Sequence, residues 1–332
     1  MNILVATPAG ATRDTFITKE NAAFLKSLGH VVWNEGSTPW SRDQWRDALE
    51  DMDVVVSAWG IPRFDDDLLQ KADHLKLVAY LCGSVNHIVS DEMYARGIRI
   101  VCGNEIFAQS LAEGTLAYIL SALRRIPEYT AIMQRDGWKP PQYGCEALSY
   151  QTVGIVGLGA TSRYLIELLK PFHVDIKVCS QHTPETELEK LGARKASLED
   201  IFSTCKVVSL HVARRPENYH MVNDALLSRM QPSALLVNTA RGDIIDEQAL
   251  AAHIRSGHIR AILDVYEEEP LSMDSPLRNL TDGILLPHLG GPTIDRRPAA
   301  ARTVFEDIQN LKNGLPLKNE ISPSRAATMT RA

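Results

Sequence analysis

Twice along this chain, short apolar runs of strand length alternate with segments of helical period. The first series predicts strands at Asn2–Thr7, His30–Glu35, Asp53–Trp59, Leu75–Leu81 and Arg99–Cys102, with helices such as Lys19–Leu28 and Asp65–Ala72 between them. The second predicts strands at Thr152–Gly157, Asp175–Ser180, Lys206–Val212, Ala234–Thr239, Ala261–Val265 and Ile284–Pro287. Parallel strands need a long crossover, usually a helix, so this alternation predicts mainly parallel sheets covered on both faces. Two series in 332 residues predict two doubly wound α/β domains with a cleft between them. Gln109–Ile126 reads as one long helix ended with the help of Pro127, and Trp138–Ser149, with Pro140, Pro141 and Gly144, as a surface connection. Arg297–Asn313 reads as the last helix, and the tail after Pro323 is expected to fray.

Composition narrows the partners. The formal net charge of −6 and the absence of a lysine or arginine run argue against nucleic acid. A small anionic substrate remains compatible, because a local field rather than net charge decides its binding. The start, MNILVATPAG, reads as a strand and not as a signal peptide, and no stretch is expected to approach the roughly 20 apolar residues of a membrane span. The expected compartment is the cytoplasm. Cys82, Cys102, Cys145, Cys179 and Cys205 are odd in number and widely spaced, which predicts reduced, mostly buried thiols and no metal site.

Thr152-Val-Gly-Ile-Val-Gly-Leu-Gly159 is an apolar strand that ends in glycines and opens into a helix, as a dinucleotide-binding turn requires. Gly157 permits the tight turn, and Gly159 lets the backbone approach a pyrophosphate at the helix N-terminus beside Ala160 and Thr161. Ser162 stands where a third glycine is usual, and a residue that small still allows close packing. The next strand ends in Cys179-Ser180-Gln181-His182 without the acidic residue that would hold the ribose hydroxyls. A carboxylate there would repel a 2′-phosphate, so its absence favours NADP over NAD, with Arg214 or Arg215 as the cation.

Three polar residues follow strands of the second series: Arg241 after LLVNTA, Glu269 after ILDVYEE and His288 after ILLP. Taken singly, they read as a surface cation, a member of the solvated run Glu267-Glu268-Glu269 and a structural histidine. Together they form a set suited to reducing a 2-oxo acid. Histidine gives a proton near neutral pH, a carboxylate stabilises the imidazolium, and a guanidinium grips a carboxylate with two parallel hydrogen bonds. The cofactor would supply the hydride.

With Gly83-Ser-Val-Asn-His-Ile88, Ala108-Gln-Ser-Leu-Ala-Glu113, Leu210-His-Val212, Val237-Asn-Thr-Ala-Arg-Gly242, Leu263-Asp-Val265, Glu269-Pro270 and Pro287-His288, the chain resembles the D-isomer-specific 2-hydroxyacid dehydrogenase family. The resemblance runs over nearly the whole length and includes the glycine turn. It implies a Rossmann cofactor domain (103–289) inserted in a flavodoxin-like substrate domain (1–102 and 290–332). It implies that Arg241 holds the substrate, that His288 is the acid/base, and that Glu269 pairs with it. Backbone N–H groups of Ser84 and Val85 would hold the substrate carboxylate, with Trp59 as a wall of the pocket. Gly157, Gly159, Ala160, Thr161, Ser180, Gln181, Val212, Arg215, Thr239, Ala240, Asp264, His288 and Gly290 would line the cofactor. A homodimer joined through the cofactor domain is also implied. Val85 replaces a usual glycine, Phe107 a common asparagine, Gly114 a frequent histidine and Ala213 a common proline.

These features make a glyoxylate/hydroxypyruvate reductase-like or phosphoglycerate dehydrogenase-like enzyme the leading expectation. Oxidation of phosphite or formate, and a nucleotide-sensing role without turnover, are the alternatives. Glu269 disfavours formate, since formate-oxidising relatives pair the histidine with glutamine.

Overall fold

A computed structural model describes residues 1–135, 137–142 and 144–330. Tyr143, within the expected surface connection, and Arg331 and Ala332, at the end of the expected tail, lie outside the described residues. The chain divides into two compact units, Met1–Ala108 with Pro292–Ala332, and Gln109–Gly291. The division falls within the helix Asn104–Leu123, a few residues beyond the Cys102/Gly103 boundary expected from the sequence.

The first unit holds β1 (Asn2–Val5), β2 (His30–Trp33), β3 (Val54–Ser57), β4 (Leu77–Tyr80) and β5 (Arg99–Cys102) in the order β2-β1-β3-β4-β5, all parallel. This is the flavodoxin-like order. Every residue of β3 and β4 is buried, which is why these strands read as unbroken apolar runs instead of alternating ones. The expected helix Asp65–Ala72 is a single 3₁₀ turn, Leu68–Lys71. The tail does not fray at Pro323. Ser322 caps a short helix, Pro323–Thr328, and the segment is tied back by Asn86 Nδ2 donating to the Ala326 carbonyl.

The second unit holds β6 (Thr152–Val156), β7 (Asp175–Cys179), β8 (Arg194–Lys195), β9 (Val207–Leu210), β10 (Leu235–Asn238), β11 (Arg260–Leu263) and β12 (Gly283–Leu285). Their order is β12-β11-β10-β9-β6-β7-β8, with every pairing parallel. The order reverses beside β6, the strand that carries the glycine turn, as in a doubly wound dinucleotide-binding sheet. β8 is two exposed, charged residues at the edge and carries no apolar pattern by which it could be read.

The long helix begins at Asn104 and ends at Leu123, earlier at both ends than its pattern suggested. Arg125 adopts a left-handed φ of 51°, and Pro127 sits in the first turn of a new helix, Ile126–Met133, instead of ending the old one. By length and apolar content alone, Asn104–Leu123 reaches the span of a bilayer, contrary to expectation. Ala112, Thr115, Ile119 and Leu123 on it are nevertheless buried within the protein.

One backbone contact governs the far side of this sheet. Gly242 lies against Tyr266 and Glu267 so closely that a Cβ would stand 1.8 Å from the Tyr266 carbonyl carbon. No side chain can yield there, because the neighbour is main chain. Gly242→Ala is expected to destabilise the protein by about 3 kcal/mol, seen as a lower urea midpoint. A wild-type midpoint would mean that the two segments do not touch in solution.

Candidate active site

Because all pairings of the second sheet are parallel, its strands end at one edge. That edge receives Gly157 after β6, Ser180 after β7, Val212 after β9, Thr239–Arg241 after β10, Asp264 after β11 and His288 after β12.

The glycine turn fits a dinucleotide. Gly157 has φ 96°, and a Cβ there would press on the His211–Val212 backbone at 2.8 to 2.9 Å, so the fold itself demands glycine. At Gly159 a Cβ would meet nothing within 4 Å. The space in front of this helix start is open, as close approach of a phosphate requires. Ser162 is fully buried, and its hydroxyl donates to the Gly157 carbonyl at 2.8 Å. The serine therefore ties the turn together where glycine would only make room. Ala160 and Thr161 open the helix Ala160–Leu169. Ser180 Oγ is hydrogen-bonded to Thr183 Oγ1 at 2.8 Å, and Gln181 is exposed. Arg215 pairs with Glu217 at 3.7 Å, whereas Arg214 pairs with Asp243 at 3.0 Å.

Arg241, Glu269 and His288 come together. His288 Nδ1 and Glu269 Oε2 are 2.6 Å apart. An ionised carboxylate only accepts, so Nδ1 carries the proton and Nε2 is the nitrogen left for other chemistry. The other Glu269 oxygen, Oε1, accepts from the Tyr266 amide at 3.0 Å. Burial pushes the Glu269 carboxyl up, but the His288 and Tyr266 hydrogen bonds and the charges of His288 and Arg241 together hold it below the ordinary range. Arg241 is half-buried. Burial and the neighbouring Arg214 cation work against its charge, while Glu269 and Asp243 support it. Its Nη1 donates to the Ala240 carbonyl at 2.7 Å. His288 itself stands half-exposed with φ 52°, a backbone region seldom used by residues other than glycine.

Asp264, expected to line the cofactor, uses both oxygens on the backbone. It accepts from the Leu289 amide at 2.7 Å and the Gly290 amide at 2.6 Å. It thus holds the residues after His288 in place. Burial raises its carboxyl despite these bonds. Gly290 is buried and needs to be glycine, since a Cβ would meet Asp264 Oδ2 and Leu111 Cδ1 at 2.6 Å. Thr239 is buried, 3.3 Å from Thr115 Oγ1, and Val212 is half-buried. Asn238 escaped the sequence reading. It is fully buried, takes the Ala240 amide at 3.0 Å, and gives Nδ2 to the Arg241 carbonyl at 2.8 Å. Its place inside Val237-Asn-Thr-Ala-Arg-Gly242 was the available signal.

In the first unit, Trp59 follows β3 and Cys82–Asn86 follows β4. Trp59 is 45% exposed, so it is not plain core. The Val85 side chain is fully buried, and no left-handed φ demands glycine at that position. The Ser84 hydroxyl donates to the Thr330 carbonyl. A cavity of about 580 Å³ in this unit is lined by residues such as His87, Tyr94 and Ala326 and holds neither Trp59 nor Ser84.

Residues 116–290 match the family model described as D-isomer specific 2-hydroxyacid dehydrogenase, NAD binding domain. The chain is 31% identical over 302 residues to a D-3-phosphoglycerate dehydrogenase of Methanocaldococcus jannaschii, covering 90% of this chain but 57% of that protein. It is 27% identical to a glyoxylate/hydroxypyruvate reductase B of Yersinia pestis, covering 87% of this chain and 90% of that one. A solved phosphoglycerate oxidoreductase from Rhizobium etli superposes with a TM-score of 0.81 at 25% identity, over 97% of this chain and 99% of the other. The chain thus spans little more than half of the phosphoglycerate dehydrogenase it matches, but nearly all of the reductase. By these matches and by its own glycine turn and strand-end residues, the chain belongs to the D-isomer-specific 2-hydroxyacid dehydrogenase family.

Proposed function

We propose that this protein is a nicotinamide-dependent oxidoreductase that interconverts a small 2-oxo acid and the matching D-2-hydroxy acid. The observation that carries this reading is the Glu269–His288 pair at 2.6 Å, with Arg241 close enough to bias the carboxylate, at the edge that also presents the glycine turn. A nicotinamide cofactor whose pyrophosphate lies at Gly157–Thr161 would supply or accept the hydride at C2. His288 Nε2 gives a proton to the C2 oxygen in reduction and removes it in oxidation. Glu269 holds the ring in that tautomer and stabilises the imidazolium. Arg241 binds the substrate carboxylate and polarises the C2 carbonyl. As the family resemblance implies, the substrate contacts assigned in this reading also include the Ser84–Val85 backbone and Trp59.

For the cofactor, the same reading favours NADPH. Neither Ser180 nor Gln181 carries a charge that would repel a 2′-phosphate, and Arg215 supplies a cation. A homodimer through the cofactor-binding unit completes the reading. Ile126, Met133 and Trp138, exposed at 53%, 53% and 72%, support it as apolar surface that a partner would cover.

Absorbance at 340 nm, with a panel of 2-oxo acids and either reduced cofactor, tests the reaction. Consumption is expected in the wild type, with a loss of about 100-fold or more in His288→Ala. Arg241→Ala is expected to raise KM and lower kcat together. Unchanged kinetics in either variant would remove the role assigned to it. Ser180→Asp is expected to cut kcat/KM for NADPH at least about tenfold relative to NADH, by placing a carboxylate against the 2′-phosphate. A wild type that prefers NADH, or an unaltered ratio in the variant, would overturn the cofactor choice.

A further inference from the structure

Arg297 opens the helix Arg297–Lys312 of the first unit and is a half-buried cation with no ion pair to a carboxylate among the described residues. Its guanidinium lies over two rings, 5.6 Å from the Phe16 centroid and 5.1 Å from that of Trp59. Nη1 donates to Thr15 Oγ1 at 3.1 Å, and Nε is buried without a hydrogen-bond partner among the described residues. A planar cation braced by aromatic rings, with one buried nitrogen left over and no carboxylate paired to it among the described residues, is poised for an external anion.

Its neighbours place it where the strands end. Phe107 lies parallel to Phe16 at 6.5 Å and edge-on to Trp59 at 6.2 Å. A Cβ on Gly83 would come within 3.6 Å of the Phe107 ring, so this cluster adjoins the Cys82–Asn86 loop. Cys82 feels it directly: burial pushes the thiol up, and the Arg297 charge partly opposes that rise. Trp59, Phe107, the loop and Arg297 thus form one continuous patch with an apolar wall and a fixed positive charge. A glyoxylate-sized substrate has nothing beyond C2 to use such a charge.

We propose that Arg297, braced by Trp59 and Phe107, recognises a second anionic group on the substrate, so that the preferred class is 2-oxo and 2-hydroxy acids carrying a carboxylate or phosphate beyond C2. This rests on the loop and Trp59 facing the substrate in the proposed reaction. Arg297 is then a specificity residue, and it leaves the chemistry at C2 to His288.

Dead-end binding separates this claim from turnover. D-malate, D-3-phosphoglycerate and the monoanion D-2-hydroxy-4-methylpentanoate, whose isopropyl group matches the shape of malate's second carboxylate, would be titrated into protein saturated with reduced cofactor, with dissociation constants read by tryptophan fluorescence. One or both of the ligands with a second anionic group are expected to bind at least about tenfold more tightly than the monoanion, and the better one tells carboxylate from phosphate. Arg297→Met should bring the three within about twofold, while Arg297→Lys, which keeps the charge and much of the stem, should retain part of the preference. Equal binding of all three ligands to the wild type, including no binding of any, would overturn the proposal. So would a loss of affinity in Arg297→Met shared equally by the monoanion, which would put Arg297 on the common carboxylate. An equally complete loss in Arg297→Lys would assign the effect to packing and also overturn it. A preference for the second anionic group without turnover at 340 nm would leave Arg297 its role and sink the oxidoreductase reading. Turnover without that preference would do the reverse.

Discussion

The contact between Gly242 and the Tyr266–Glu267 main chain sets where the charged groups of the second unit can stand. It draws the loop after β10 onto the loop after β11. Arg241 immediately precedes the glycine, and Glu269 follows Tyr266 by three residues, with its carboxylate returning to the Tyr266 amide. The guanidinium and the carboxylate are therefore neighbours because two backbones touch. Attraction between them would be a weak organiser by itself, since a partly exposed ion pair contributes little.

The third member is held by a different device. Asp264 uses its two oxygens on the amides after His288, a buried carboxylate acting as a clamp. Pro287 precedes the histidine, and His288 itself takes a left-handed φ. The ring is thus aimed by backbone geometry, and Glu269 needs only to choose its tautomer. Removing the Glu269 carboxylate would free the ring's proton position without moving the loop. Removing the Asp264 carboxylate would leave two amide donors without their acceptor and release the loop.

Charges in this unit are graded. Arg214, expected as a possible phosphate ligand, sits close enough to Arg241 to weigh against its charge and is itself neutralised by Asp243. Its electrostatic influence therefore falls on Arg241. Arg215, one residue on, pairs with Glu217 at 3.7 Å, and of the two it is the cation that the proposed NADPH preference uses.

Much of this was readable in the residues. Strand–helix alternation determined the two parallel sheets, because apolar runs of strand length joined by helices have few other ways to bury both faces. The glycine turn and the strand-end residues Arg241, Glu269 and His288 were visible because a parallel sheet delivers every strand's carboxyl end to one edge. Tertiary structure alone decided what lay beyond local pattern. It made Asp264 a backbone clamp, gave Asn238 and Gly242 their places, and folded Pro323–Thr328 into a helix where fraying was expected. It also put Arg297, 238 residues from Trp59 in sequence, over that indole ring. A hydrophobic period reports which face of an element is buried. It carries no record of which distant atom will be there to meet it, and a single charged residue at a helix start has no period at all.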